Sequence, residues 1–348
     1  MLPPDNFQED PRPTLAHRTS PTNLGLYLLS IVTARDFGWA GTLDTVERLE
    51  ATLAAMAGLE RFRGHFYNWY ETRDLRPLEP RYVSSVDSGN LAAHLIALAN
   101  ACDEMATQQA LESRLSAGIA DGMALLRESL RTPADVQLDE ALGALVAQLS
   151  ERPAAPAELL VHLAALAVRA AAVEQRTKEL AHERAGAASA EAVAWAEATC
   201  RTIASHRRDQ EPATHGAESL RQRLDSLATT ARAMAAAMRF DFLFDPERKL
   251  LSIGYRVQEG SLDPSCYDLL ASEARLASFV AIASGDLPAR HWFRLGRAVT
   301  PVEHGAALVS WSGSMFEYLM PSLVMRAPAG SLLDETSRLI VRRQKAYG

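Results

Sequence analysis

Along most of the chain, apolar residues recur at steps of three and four, and this period limits the fold more than any other feature. Leu43, Val46, Leu49, Leu53 and Met56 carry it, with Thr42 placed to cap that helix. Ser20-Pro21-Thr22-Asn23 opens a helix over 24–37, after a Pro-rich, polar lead-in at 1–22. Further helices are predicted over 91–105, 110–130 (stopped near Thr132-Pro133), 136–149, 218–238, 265–284, 311–319 and 332–347. The Ala-rich stretch 157–208 reads as one helix or two, with Gly186 as the break. It carries no clean heptad and reads as scaffold. Residues 207–212 read as a linker, and runs at 240–244 and 250–255 around Asp245-Pro246 read as a β-hairpin. No strand–helix–strand alternation occurs, so the predicted class is all-α with about ten helices and one clear hairpin.

Composition removes several function classes. Lys and Arg number 36 against 43 Asp and Glu, a net charge of −7. No long basic stripe offsets that balance, which argues against nucleic acid as a partner. With 48% hydrophobic residues the chain can fill a core, so disorder is excluded as its main state. The most apolar runs, 24–34 and 159–173, fall short of the ~20 residues of a membrane-spanning helix, and the N-terminus has no signal-peptide pattern. Direct membrane insertion is therefore not expected. Cys102, Cys200 and Cys266 form neither a disulfide framework nor a metal knuckle. The nine His residues lack ligand spacing, so no metal is expected, and no phosphate-binding loop or hydrolase motif suggests a cofactor.

Four segments could carry chemistry. The helical pattern breaks over 61–90, where Phe62, Phe66, Tyr67, Trp69, Tyr70 and Tyr82 accompany Pro77 and Pro80. Aromatic planes take the apolar face of a sugar, while Asn68, Glu71 and Arg73 could take its hydroxyl rim. The competing reading is that these rings fill a core. Asp87, Ser88 and Asn90 cluster where the next helix begins, and could cap it or face a ligand. Glu317 lies among large apolar side chains after Ser310-Trp311-Ser312-Gly313-Ser314. Desolvation there should raise its pKa toward that of a general acid, although an acid near a helix N-terminus is favourable for its own sake. Asp268, Ser272 and Arg275 fall on one helical face with Glu273 beside them, a polar stripe suited to lining a cavity. His291 and Trp292 follow in a loop.

Three long runs, LPPDNFQEDPRPTLAHRTSPTNLGLYLLS, GHFYNWYETRDLRPLEPRYVSSVDSGNLAAHLIAL and YDLLASEARLASFVAIASGDLPARHWFRLGR, together with WSGSMFEYLMPSL, resemble the central region of bacterial cyclic β-1,2-glucan synthases. The resemblance covers nearly the whole chain. It implies a large inner-membrane synthase in which a glycosyltransferase region builds linear β-1,2-glucan from UDP-glucose. A central glucoamylase-like (α/α)6 toroid then cyclises that glucan by transglycosylation, and a phosphorylase-like region adjusts its length. On that basis 23–212 is a helical region with its aromatic loop at 61–90, and 213–348 is the start of the glucoamylase-like domain. Part of the toroid and of its active site is expected here. The implied partners are a β-1,2-glucan chain and the rest of the synthase, in cis or as separate chains. The implied place is the cytoplasm or the cytoplasmic face of the inner membrane.

Cleavage with retention needs two carboxylates. Glu317 is expected to be one, with Glu71 and Asp87 as weaker candidates. Tyr67, Trp69, Tyr70, Trp292 and Trp311 are expected to stack on sugar. A non-catalytic or remnant glucan-binding protein, and a β-1,2-glucanase with water as acceptor, remain open alternatives.

Overall fold

The computed structural model describes residues 2–107, 112–130, 135–151, 153, 156–183, 187–211 and 217–347. It is 61% helical and 12% strand, an all-α fold carrying small antiparallel hairpins. Two compact units form. Unit 1 comprises Met1–Leu29, Ala51–Cys102 and Ser226–Gly348, and unit 2 comprises Ser30–Glu50 and Asp103–Asp225. Among the described residues, no helix is long and apolar enough to cross a membrane, and no group of His, Cys, Asp and Glu could hold a metal ion. The three cysteines are free thiols.

In chain order the elements begin with β1 (Phe7–Gln8), β2 (Thr14–Leu15), β3 (Arg18–Thr19), α1 (Pro21–Asp36) and α2 (Thr42–Ala57). Then come β4 (Arg61–Phe62), β5 (His65–Phe66), β6 (Tyr70–Glu71), β7 (Tyr82–Ser84) and α3 (Ser85–Thr107). Five helices follow: α4 (Glu112–Ser129), α5 (Val136–Ser150), α6 (Pro156–Glu183), α7 (Ala187–Gln210) and α8 (Ala217–Ala236). The last part holds β8 (Phe244–Asp245), β9 (Leu250–Leu251), β10 (Gly254–Arg256), β11 (Ser261–Leu262), α9 (Arg275–Ala283), β12 (Val299–Val302), β13 (Gly305–Leu308), α10 (Met315–Leu319) and α11 (Leu332–Tyr347).

Unit 2 takes its shape from helical stripes. Leu115, Ile119, Met123 and Leu126 of α4 meet Leu138, Leu142 and Leu145 of α5 and the buried rows of α6 and α7 in one core. Contrary to the sequence reading, α6 does carry a heptad. Leu159, Leu163, Leu166, Ala170, Val173, Thr177 and Leu180 are all buried and alternate steps of four and three. Small or polar members hid the repeat; Thr177 fits because its hydroxyl bonds the Val173 carbonyl at 2.7 Å. The boundary expected at Gly186 and the stop at Thr132-Pro133 lie outside the described residues.

The predicted linker at 207–212 is corrected in its described part, since 207–210 complete α7. Asp209 has a task there: its carboxylate accepts from the backbone N of Thr42 (2.7 Å) and Leu43 (2.9 Å), the first residues of α2. Asp209, not Thr42, therefore supplies this helix N-terminus with an acceptor. The predicted apolar row of α2 is buried as expected.

Unit 1 is built from short ladders. Ser20 Oγ accepts from Asn23 N at 3.2 Å, so α1 opens as the sequence predicts. The hairpin expected around residue 245 forms as β8–β9, and β4–β5, β10–β11 and β12–β13 pair as well. In a three-stranded antiparallel sheet β10 lies between β11 and β7, which ties the aromatic segment to the chain beyond 250. The lead-in also pairs, β1 with β2 and β3 with β6.

The helix predicted over 265–284 begins only at Arg275. Residues 265–270 bond distant backbone instead: Ser265 O accepts from Ile253 N, Tyr267 N donates to Leu251 O, and Leu270 N donates to Gly296 O. Helix α9 packs closely on α3, because a Cβ at Gly89 would lie 2.3 Å from the Ala277 backbone. Likewise, the helix predicted over 311–319 is shortened to α10, with Ser314 as its cap.

Candidate functional site

Inside unit 1, two carboxylates far apart in sequence, Asp87 in the first turn of α3 and Glu317 in α10, act on a third, Glu273 just before α9. Asp87 does not cap its own helix. Ser84 Oγ accepts from the Asp87 amide instead, at 3.2 Å. The Asp87 carboxylate accepts from Thr22 Oγ1 (2.6 Å) and Thr22 N (3.4 Å) at the start of α1. With its amide group turned toward that carboxylate, Asn68 Nδ2 donates to Asp87 Oδ2 at 3.0 Å and its oxygen accepts from Trp69 Nε1 at 3.0 Å.

Asn90, one turn along α3, is wholly buried. Its Nδ2 donates to Thr22 Oγ1 (3.0 Å) and to Glu273 Oε2 (3.3 Å). Its side-chain Oδ1 has no partner among the described residues, and a buried acceptor left unpaired is costly. Such an atom is a ready acceptor for a ligand hydroxyl.

The two glutamates have opposite environments. Burial pushes Glu273 up to about 7, and the charges of Asp87 and Glu317 act in the same direction, against the Asn90 hydrogen bond. For Glu317 burial also acts upward, but hydrogen bonds outweigh it and its pKa is lowered. Ser312 Oγ (2.6 Å), Ser312 N (2.9 Å) and Ser310 Oγ (3.0 Å) all donate to Oε2. The expectation that Glu317 has a raised pKa is thus reversed. Its apolar neighbours are present, but the serines before it fold back onto the carboxylate.

Arg275 connects the two segments. Its buried guanidinium donates to the carbonyls of Ser272 (3.3 Å), Glu317 (3.2 Å) and Tyr318 (2.9 Å), and burial lowers its pKa to about 10. It is a clamp rather than part of a cavity wall. Asp268 is exposed, and with no helix at that point the predicted stripe of Asp268, Ser272 and Arg275 does not exist.

The other expected residues are distributed as follows. Tyr67 and Tyr70 are core residues: Tyr70 Oη accepts from Tyr67 N (2.8 Å) and donates to Glu60 O (2.6 Å). Their rings fill the interior, as the competing reading allowed. Trp69 is half-buried, with the Arg18 guanidinium 4.5 Å from its ring centroid. Glu71 is held by Arg73 through contacts of 2.7 and 3.0 Å, and that partner lowers its pKa to about 2. The charges acting on it are those of Arg73 and His17, not those of the cluster.

Ser88 is buried against His65, Oγ to Nδ1 2.9 Å. His291 is buried between Ser278 Oγ (2.9 Å) and Lys249 O (3.2 Å). Trp292 is half-buried beside Phe279, and Trp311 stands 59% exposed immediately before Ser312.

Two participants escaped the sequence reading. Thr22 was legible only as part of a helix start. Burial raises the Tyr267 pKa, and the charges of Glu273 and Asp87 raise it further, which brings that phenol to the same cluster.

No family model matches the chain. Over 363 aligned positions it is 48% identical to the cyclic beta-(1,2)-glucan synthase NdvB of Rhizobium meliloti (strain 1021), an alignment that takes in 100% of this chain and 13% of that protein. From end to end, then, the chain is similar to one stretch of a cyclic β-(1,2)-glucan synthase, and the likeness carried by its motifs is borne out.

Proposed function

We propose that the chain supplies a cyclic β-1,2-glucan synthase with the site that closes linear β-1,2-glucan into rings by intramolecular transglycosylation. One observation carries this reading: within a single cluster, Glu273 is pushed up to about 7 while Glu317 is held below its ordinary value. Two carboxyls whose environments drive them apart divide into an acid and a base or nucleophile.

In the proposed reaction Glu273, protonated near neutrality, gives its proton to the glycosidic oxygen as the bond to the anomeric carbon breaks. Glu317 bonds to that carbon. Its Oε2 is anchored by the serines, which holds the carboxylate in place for the attack. The 2-hydroxyl of the chain's own non-reducing end then attacks the anomeric carbon. Glu273, now a carboxylate, takes the hydroxyl proton, and Glu317 is released. One β-1,2 bond is broken and one formed, and no water is consumed.

In this reading Asp87, Asn90 and Asn68 bind glucan hydroxyls, and Trp69, Trp292 and Trp311 offer ring faces. The helices from about 213 onward belong to the glucoamylase-like toroid. The remainder of the synthase makes the linear glucan at the cytoplasmic face of the inner membrane.

The test places E273Q and E317Q separately in a complete synthase carrying this segment. Each should accumulate linear glucan without cyclic product. Undiminished ring formation in either variant rejects the assignment, and short linear products from the parent identify water as the acceptor.

A further inference from the structure

We infer a second carbohydrate site, made entirely of unit 2 residues and binding a segment of the same β-1,2-glucan; the glucan as ligand rests on the function proposed above. The segment before α2, together with α2, α4 and α7, lines an open cleft of about 540 Å³. That is within the roughly 300–1,000 Å³ of small-ligand sites. Two indole rings line it, Trp39 and Trp195, and no residue of the carboxylate cluster does.

Trp39 is the informative residue. It is 49% exposed, so it is not there to fill a core. It is nonetheless fixed at three points. Its Nε1 donates to Asp121 Oδ2 at 2.9 Å, its carbonyl accepts from Thr202 Oγ1 at 3.0 Å, and its ring lies 5.1 Å from that of Phe37. The turn that presents it passes through Gly38 at φ +77°, where a Cβ would lie 1.9 Å from the Arg114 carbonyl oxygen. Only glycine fits there. An exposed aromatic ring fixed in advance loses little freedom when a ligand docks on it.

The polar lining indicates the kind of ligand. Asp44 and Asp121 share the cavity with Arg48, Arg201 and Arg208. A neutral polyol needs acceptors and donors together around an apolar ring face, and this lining provides both. A polyanion would meet the two acids. An apolar peptide helix would leave the outward polar atoms of this lining without water or a replacement partner. For a polymer, a second point of attachment raises the local concentration of chain at the first, so this site would retain glucan between reaction cycles.

The test is a titration of the full chain with a linear β-1,2-glucooligosaccharide, read by calorimetry and tryptophan fluorescence. W39A removes one ring, and A198W fills the cavity from the α7 wall while leaving the core side chains in place. Each should lose one class of binding sites or weaken it by about tenfold. E273Q should leave that class intact. Unchanged binding in both W39A and A198W overturns the second site, whatever E273Q does to cyclisation. Absence of any glucan binding by the parent also overturns it, while the catalytic test remains separate. Loss of binding in A198W supports the site even where E317Q still makes rings, which would reject the catalytic reading alone.

Discussion

The two units handle charge in opposite ways. In the helices of unit 2 charge sits outside a Leu- and Ala-rich core, as pairs such as Arg176–Asp135 and Lys178 with Glu174 and Glu197. Asp209 is drawn partly inside, where it serves the start of α2. In unit 1, Glu273, Glu317 and Arg275 are largely buried and bonded to hydroxyls, an amide and backbone carbonyls. A regular helix spends its backbone groups on itself, so its side chains reach the interior mainly as apolar stripes. Irregular backbone leaves carbonyls and amides free to solvate a buried charge.

Removing charge should accordingly matter in unit 1 and hardly at all in unit 2. The largest effect is expected on turnover: E273Q or E317Q should slow ring formation by about 10²–10⁴-fold, the usual worth of a placed acid or base. Next comes R275M, which takes the guanidinium from the carbonyls of Glu317 and Tyr318 and should cost about 3 kcal/mol in urea unfolding. A loss near zero would place Arg275 outside the buried frame.

A comparable effect depends on pH. Glu273 is about 7 folded against an ordinary 4.5, a difference of 7 − 4.5 = 2.5 units. At 1.36 kcal/mol per unit this amounts to about 3 kcal/mol. Because the folded value is the higher one, the stabilisation is complete below pH 4.5 and is lost as pH rises through 7. E273Q should therefore equal the parent at pH 4 and exceed it at pH 8, and parallel pH profiles of melting temperature would contradict this. The smallest effect is expected for K178A, whose exposed pairs should leave the urea midpoint nearly unchanged. A marked fall in that midpoint would break the contrast between the units.

What the sequence revealed follows the same division. The α2 row from Leu43 to Met56 was legible because large apolar residues mark each turn, and the stripe of α6 was missed where Ala170 and Thr177 stand in for them. The helix read through 265–274 failed because spacing is local, whereas the backbone bonds of that segment go to residues near 251, 253 and 296. Glu317 stood out in the sequence as a candidate, but the direction of its pKa shift did not. Neighbours in sequence predict desolvation, and only the folded turn brings Ser310 and Ser312 onto one oxygen. The meeting of Asp87 with Glu273 spans more than half the chain, so no pattern of spacing announces it. Glu71 and Arg73 sit two apart and pair with each other, leaving that carboxylate outside the cluster.

Arg275 bears on how such a site can change over time. Its three hydrogen bonds fasten the approach to α9 onto the carbonyls of Glu317 and Tyr318, so the two glutamates are mounted on a single joint. Neither segment can drift without carrying the other. On the function proposed above, the spacing between these two carboxyls would decide whether configuration is retained or inverted, and one buried guanidinium ties together the segments that carry them.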